Sequence, residues 1–193
     1  MNLPNKLTVA RCILTAFFVL FLSFQDVYSY ALGYIVFVTA AITDYYDGKI
    51  ARERNLVTNF GKLLDPVADK VLVVAAFVML LGIPEMQVPA WSIVLILARE
   101  FLVTGARALG AAQGIVIPAN KWGKIKTTLQ LIYACTFLFL VVVLQGLEQY
   151  PFLGDGIPGD TALYEYGIGI ASRVAIIFVA LYTVYSGIQF ARL

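Results

Sequence analysis

Long apolar stretches separated by short polar turns run through the whole chain. A helix needs about 20 consecutive, mostly apolar residues to cross the hydrocarbon core of a bilayer. Six stretches meet this requirement, at roughly 8–24, 30–50, 64–83, 88–108, 124–147 and 166–190. The pattern therefore predicts an all-α integral membrane protein with six transmembrane helices.

Positive charges occur at alternate turns between these helices. The turns at 25–29, 82–89 and 149–167 contain no lysine or arginine. The opposite ends of the helices carry Lys6, Arg11, Lys49, Arg52, Arg54, Lys62, Lys70, Arg107, Lys121, Lys124, Lys126 and Arg192. Because positive charge stays on the cytoplasmic side, we expect both termini in the cytoplasm. Arg99, beside Glu100, and Arg173 lie well inside apolar runs and need internal partners or a water-filled cavity.

The composition agrees with a membrane protein in one domain, 1–193. Hydrophobic residues make up 61% of the chain and charged residues 13%, against about a quarter charged in soluble domains. The net charge of +2 gives no reason to expect a nucleic-acid partner. No cleavage site follows the first apolar run, so we expect it to remain as a membrane helix. Cys12 and Cys135 lie within apolar runs and are interpreted as small apolar residues, not as a disulfide or metal site.

Four aspartates interrupt the apolar pattern in the segment "TDYYDGKIARERNLVTNFGKLLDPVADK", residues 43–70. Asp44 and Asp47 are three apart and share one helix face near the end of the second helix. Asp65 and Asp69 are four apart and share a face at the start of the third. Helices joined by a short loop are antiparallel neighbours, so we expect the two pairs to converge. Pro66 either opens the third helix, with Asp65 as its cap, or kinks it.

Four converging carboxylates beside lipid repel one another unless cations compensate them. Mg²⁺ and Mn²⁺ take oxygen ligands and leave positions for water and phosphate. Four carboxylates suit a two-metal site for displacement at phosphorus. The chain has no histidine, so acid–base chemistry must use carboxylates, lysine, tyrosine or water.

Small residues and one arginine accompany the aspartates. Gly48, Ala51 and Gly61 would let a ligand approach the helices closely, and Arg52 can make a forked contact with phosphate. Taken singly, each glycine is better explained by helix packing, and the alternative for a single aspartate is a solvated loop end. The combination favours a phosphate site.

The spacing of these residues resembles the signature of a known protein family. From Asp44 the sequence is D-x-x-D-G-x-x-A-R, then eight residues, then G-x-x-x-D-x-x-x-D. It resembles the signature of the CDP-alcohol phosphatidyltransferases. All its fixed positions match: Asp44, Asp47, Gly48, Ala51, Arg52, Gly61, Asp65 and Asp69. Six spans, with the signature between the second and third helices at the cytoplasmic face, is also that family's architecture.

The resemblance implies transfer of a phosphatidyl group from CDP-diacylglycerol to an alcohol, with release of CMP. It implies two Mg²⁺ or Mn²⁺ ions, a homodimer and a multi-pass protein of the plasma (inner) membrane. Metal binding would then belong to Asp44, Asp47, Asp65 and Asp69, with Asp69 also acting as general base on the acceptor hydroxyl. The nucleotide and diphosphate would contact Asp44, Gly48, Ala51, Arg52, Gly61 and Asp65.

Three further segments bear on the acceptor. Residues 96–107 and 123–130 resemble bacterial phosphatidylglycerophosphate synthases, whose acceptor is sn-glycerol 3-phosphate. Residues 2–11 resemble the family's short amphipathic entry helix. A phosphorylated acceptor needs cations, and the candidate acceptor-phosphate residues are Arg107, Lys124, Lys126, Arg11 and Thr8. Each cation taken singly is equally explained by topology, and Lys121 is assigned to topology and anionic lipid.

Arg99 and Glu100 are expected to form a buried pair that supports helix packing, with contact between Arg99 and the acceptor as the weaker alternative. For Arg173 the sequence suggests no role except a contact between the two copies of a dimer.

Three alternatives remain open at the level of sequence. The acceptor could be inositol phosphate, serine or another polar alcohol. A divalent-cation transporter would need polar residues through the bilayer, and the outer halves of the second and third helices offer none. An inactive membrane scaffold would leave the cost of burying four aspartates unexplained.

Overall fold

The computed structural model describes the backbone of residues 3–54, 59–114, 121–150 and 161–192, and the side chains of 9–43, 70–114, 121–150 and 162–192. Regular structure in these ranges is entirely helical, which confirms the all-α class. The α-helices are α1 (Leu3–Leu22), α2 (Val27–Arg54), α3 (Asn59–Leu81), α4 (Ala90–Ala112), α5 (Lys121–Gln149) and α6 (Thr161–Ala191), with a short 3-10 helix at Pro84–Met86. Each α-helix overlaps one predicted apolar stretch.

The helices are longer than the apolar stretches that predicted them. The predicted entry segment and the first predicted span form one continuous helix, α1. The third helix was predicted from residue 64 but begins at Asn59, so Pro66 lies inside it. The interpretation of Asp65 as the cap of this helix is therefore wrong. Apolar patterning marks only the part of a helix that faces apolar surroundings, and polar ends extend it further. A kink at Pro66 stays a prediction.

Contacts between neighbouring helices fix their directions. Leu22, at the end of α1, lies against Gly33 early in α2, and the ring of Phe18 lies 5.4 Å from that of Phe37. The two helices are therefore antiparallel. Side-chain contacts give the directions of the other helices in the same way. For α5 the contacts are Tyr28–Tyr150 and Tyr34–Phe139 with α2, Phe77–Tyr133 with α3, and Trp122–Tyr185 and Tyr133–Ser172 with α6. For α4 they are Lys70–Thr104 with α3, and Arg99–Ser186 and Arg107–Phe190 with α6.

These directions alternate along the chain. The helices α1, α3 and α5 begin, and α2, α4 and α6 end, at one end of the bundle, which we call the motif end. The aspartate segment joins α2 to α3 at this end. The opposite end carries the 3-10 helix, which packs against α6.

The bundle has an apolar core and an apolar exterior. Phe18, Phe37 and Phe77 are fully buried at its centre. Phe101 and Leu102 on α4 are 70% and 73% exposed, as expected of side chains that face lipid. Among the described residues, Lys121–Gln149 and Ala162–Ala191 are long and apolar enough to cross a membrane. These features agree with an all-α membrane protein.

The contact between the 3-10 helix and α6 yields a test of packing. A Cβ at Gly169 would overlap the backbone oxygen of Glu85 and lie 2.8 Å from Nε2 of Gln87. A Cβ at Gly167 would meet nothing within 4 Å. We expect Gly169→Ala to lower the free energy of unfolding by about 1–3 kcal/mol, because a backbone atom cannot easily move away. The measurement is thermal and denaturant unfolding in detergent.

Gly167→Ala is the matched control on the same helix. It should be neutral or stabilise by up to about 1 kcal/mol, because alanine favours helix. Equal effects of the two substitutions would contradict the close approach at Gly169.

Candidate functional site

The signature aspartates are located on α2 and α3. Asp44 and Asp47 lie in the part of α2 that runs towards the motif end, and Asp65 and Asp69 lie in the first half of α3. The two helices pack against each other. The side chains of all four residues lie outside the described ones, so their convergence stays a prediction. The same holds for the side chains of Thr8, Gly48, Ala51, Arg52 and Gly61.

Metal binding depends on these four aspartates. The side chains that the structure describes include no group of three or more acidic, histidine or cysteine residues arranged to hold a metal ion. The donor set of the signature is four carboxylates, two on each of two packed helices. Such oxygen donors fit a hard divalent cation.

One carboxylate, that of Glu100 on α4, forms ion pairs with three cations, and one of these is Lys70, the residue after Asp69. Oε2 of Glu100 lies 3.2 Å from Nζ of Lys70, and its Oε1 lies 3.4 Å from Nη1 of Arg99. Lys126 donates to the same Oε1. The Glu100 cluster, as we call Lys70, Arg99, Glu100 and Lys126, joins α3, α4 and α5. It confirms the predicted pair of Arg99 with Glu100 and adds two lysines to it.

Glu100 and Lys126 are buried, whereas the Lys70 side chain is 31% exposed, and the cluster is tied to further polar groups. Glu100 is 7% exposed and Lys126 4%. Lys70 also donates to the Glu100 carbonyl oxygen at 3.3 Å and to the Thr104 hydroxyl. Arg99 Nη2 donates to Oγ of Ser186 on α6 at 2.9 Å. Charges inside an apolar bundle are tolerated only with such partners, so the cluster holds four helices in a definite arrangement.

A cavity of about 220 Å³ opens beside the cluster. Its polar side is formed by Lys70, Glu100, Lys126, Thr127 and Gln130. The other side is apolar, with Val73, Val74, Phe77 and Ile96. The cavity thus presents two ammonium groups and a carboxylate beside the middle of α3, where Lys70 directly follows Asp69.

The remaining acceptor candidates are spread over the motif end. Lys124 is exposed, although it lies only two residues from the buried Lys126, because residues two apart on a helix point in different directions. The Arg107 guanidinium lies 5.4 Å from the centre of the Phe190 ring, a cation–π arrangement. Arg11 is 4% exposed in α1. The structure therefore brings Lys126 into the cluster and leaves Lys124 on the outer surface of α5.

Sequence reasoning missed the part played by Lys70 and Ser186. Lys70 directly follows Asp69 and was counted only as a topology charge. Its partner Glu100 is 30 residues away, and no local spacing reveals such a pairing. Ser186 had no signal beyond being a polar residue in an apolar run. Arg173, the other arginine within an apolar run, is exposed on α6.

Comparison with known proteins decides the family. The sequence profile of the CDP-alcohol phosphatidyltransferases matches residues 1–157. The chain belongs to the CDP-alcohol phosphatidyltransferase family. The matched region contains the complete aspartate signature and α1 to α5. Members of this family are transferases that use divalent metal ions.

Three relatives within the CDP-alcohol phosphatidyltransferase family carry the name CDP-diacylglycerol–glycerol-3-phosphate 3-phosphatidyltransferase. The protein from Bacillus subtilis is 42% identical over 163 residues, which cover 78% of this chain and 83% of the relative. The protein from Rickettsia typhi is 44% identical over 155 residues, with 80% and 85% covered. The protein from Cereibacter sphaeroides is 38% identical over 151 residues, with 76% and 67% covered.

The hydrogen bond between Arg99 and Ser186 yields a second test of stability. Ser186→Ala leaves a buried guanidinium short of one acceptor, so we expect a cost of about 1.5–3 kcal/mol in the free energy of unfolding. Ser172→Ala, on the same helix, removes a neutral hydrogen bond of 2.8 Å to Tyr133 and should cost about 0.5–1.5 kcal/mol. Both serines are buried, so burial does not confound the comparison. A smaller loss for Ser186→Ala than for Ser172→Ala, in detergent unfolding, would contradict the arrangement of Arg99.

Proposed function

We propose that this protein transfers the phosphatidyl group of CDP-diacylglycerol to sn-glycerol 3-phosphate, giving phosphatidylglycerophosphate and CMP. The observation that carries the proposal is the complete eight-position signature at the junction of α2 and α3. The choice of acceptor is supported by relatives named for this reaction that are 42% and 44% identical. The cation-lined cavity at the motif end agrees with a phosphorylated acceptor.

In the proposed reaction, the carboxylate of Asp69 accepts the proton of the acceptor hydroxyl. The hydroxyl oxygen then bonds to the lipid-bearing phosphorus, and the bond from that phosphorus to the oxygen of CMP breaks. Arg52, with Gly48, Ala51 and Gly61 leaving room for close approach, holds the nucleotide and diphosphate. Asp44 and Asp65 complete that contact set.

Two Mg²⁺ or Mn²⁺ ions, bound by Asp44, Asp47, Asp65 and Asp69, would supply charge stabilisation for the oxygens at the reacting phosphorus. The four aspartates fit this assignment by donor chemistry.

The acceptor phosphate is assigned to Arg107, Lys124, Lys126, Arg11 and Thr8. Support for Lys126 is strongest, because its side chain forms part of the cavity wall beside Lys70. Arg11 lies in the first half of α1 and Arg107 in the second half of α4, and both halves are the ones nearer the motif end.

The proposed setting is the plasma (inner) membrane, with six spans in one domain of 193 residues, both termini and the active site at the cytoplasmic face, and a homodimeric assembly. The alternating helix directions and the positive charge at the motif end support this orientation. A membrane-edge site suits the substrates, since the lipid tails lie in the bilayer and the sugar phosphate comes from water.

The reaction is tested by CMP release from CDP-diacylglycerol by purified protein with Mg²⁺ or Mn²⁺. We expect release with glycerol 3-phosphate, no release with serine or inositol phosphate, and loss of release with EDTA. Asp69→Asn should lower kcat by about 10²–10⁴-fold, because it removes the general base. Asp26→Asn is the matched control: Asp26 is exposed at the opposite end, where it caps α2 through the N–H groups of Tyr28 and Ser29, a role that asparagine can fill.

Release with another acceptor alone would keep the family chemistry and overturn the assignment of glycerol 3-phosphate. Full turnover by Asp69→Asn would overturn its role as base.

Exposed lysines of α5 provide a test of the acceptor site. Lys124→Gln should raise KM for glycerol 3-phosphate by roughly tenfold, the loss expected for one charge-assisted contact. Lys121→Gln, which removes an equally exposed charge that lies over Trp122, should leave this KM unchanged. Steady-state kinetics in mixed micelles give both values. Equal effects of the two substitutions would assign Lys124 to general surface charge.

A further inference from the structure

We infer that Glu100 is a positioning residue for acceptor binding: its carboxylate holds Lys126 and Lys70 at the cavity wall, where they face the acceptor phosphate. The inference rests on the proposed function and adds a residue to it. Glu100 carries a negative charge, so it would not itself contact a phosphate. Its role is to fix the groups that do.

The geometry of the carboxylate supports this role. Each oxygen of Glu100 serves a different helix: Oε2 takes Lys70 of α3 at 3.2 Å, and Oε1 takes Lys126 of α5. Lysine is a point charge on a flexible stem of four carbons, so its ammonium has no fixed place without a partner. Both ammonium groups and the carboxylate line one cavity. Glu100 therefore determines where the two positive charges lie in that cavity.

The charge of the cluster fits a phosphate monoester. The cluster has an excess of two positive charges, because it contains three cations, Lys70, Arg99 and Lys126, and one carboxylate, Glu100. A phosphate monoester carries about −1.5 to −2 at neutral pH. Without the carboxylate, three positive charges would lie together in a buried site and repel one another. Glu100 thus keeps the cations close together and still leaves an excess for the phosphate.

The cluster also links the acceptor to the reacting centre. Lys70 is the residue after Asp69, and its ammonium is held by the carboxylate of Glu100 as well as by that residue's backbone oxygen, at 3.3 Å. The middle of α3 is thereby tied to α4 through Lys70 and Glu100, and Glu100 also binds Lys126 of α5. An acceptor bound at these lysines has its phosphate at a set distance from the helix that carries the proposed base.

Kinetics of Glu100 variants test the inference. In Glu100→Gln the shape is kept and the charge is removed, so we expect KM for glycerol 3-phosphate to rise by about tenfold or more. KM for CDP-diacylglycerol should change less than about twofold, because the nucleotide contacts lie elsewhere. Glu100→Asp keeps the charge on a shorter side chain and should give an intermediate KM for glycerol 3-phosphate. A purely structural role would lower the yield of active protein and leave this KM unchanged.

A double-mutant cycle shows whether Glu100 acts through Lys126. In a Lys126→Gln background, Glu100→Gln should raise KM for glycerol 3-phosphate clearly less than it does in the wild type. Ser172→Ala is the control, because it removes a buried hydrogen bond whose two residues do not line the cavity. It should leave both KM values unchanged.

The results separate the inference from the proposed function. Wild-type turnover with glycerol 3-phosphate, together with an unchanged or lowered KM for it in Glu100→Gln, overturns the role of Glu100 alone. A lowered KM would mean that Glu100 competes with the phosphate. Wild-type protein that does not use glycerol 3-phosphate overturns both. Should Glu100→Gln fail to fold, Glu100→Asp decides: a raised KM for glycerol 3-phosphate supports the role and an unchanged one overturns it.

Discussion

The arrangement of this bundle depends on a buried carboxylate that attracts cations from neighbouring helices. Charges within an apolar bundle carry a large desolvation cost, and close partners must offset it. Glu100 on α4 meets this requirement for Lys70 on α3 and Lys126 on α5. Arg99 extends the contact to α6 through Ser186. Four helices thus meet at the Glu100 cluster, and the apolar core fills the space between them.

The two ends of the bundle differ in the side chains that join their helices. At the opposite end, Tyr28 and Tyr150 share a hydrogen bond, and the 3-10 helix lies close against α6 at Gly169. Towards the motif end, three charged side chains line one side of a cavity beside α3. The signature aspartates lie on the parts of α2 and α3 nearest this same end.

Local patterns predicted much of this fold, and long-range contacts account for most of what they missed. The apolar stretches located the six α-helices of the described residues, because hydrophobic length is a strong signal in a membrane protein. Helix ends were less predictable: α3 starts at Asn59, before the apolar stretch that predicted it, so Asp65 lies inside the helix and is not its cap. The aspartate signature was recognised because eight residue identities at fixed positions resemble the pattern of a known family. The partners of Glu100 lie 26 and 30 residues away on other helices, so only the folded chain shows them together.

The last helix, α6, forms part of the packed bundle although it lies outside the region that matches the family. The family match ends at residue 157, before α6 begins. Three hydroxyls of α6 nevertheless serve partners inside the matched region: Ser172 for Tyr133, Thr183 for Gln130 and Ser186 for Arg99. The region defined by sequence similarity is therefore smaller than the unit that folds. A protein cut after residue 157 would keep every signature aspartate and lose the helix against which α4 and α5 pack.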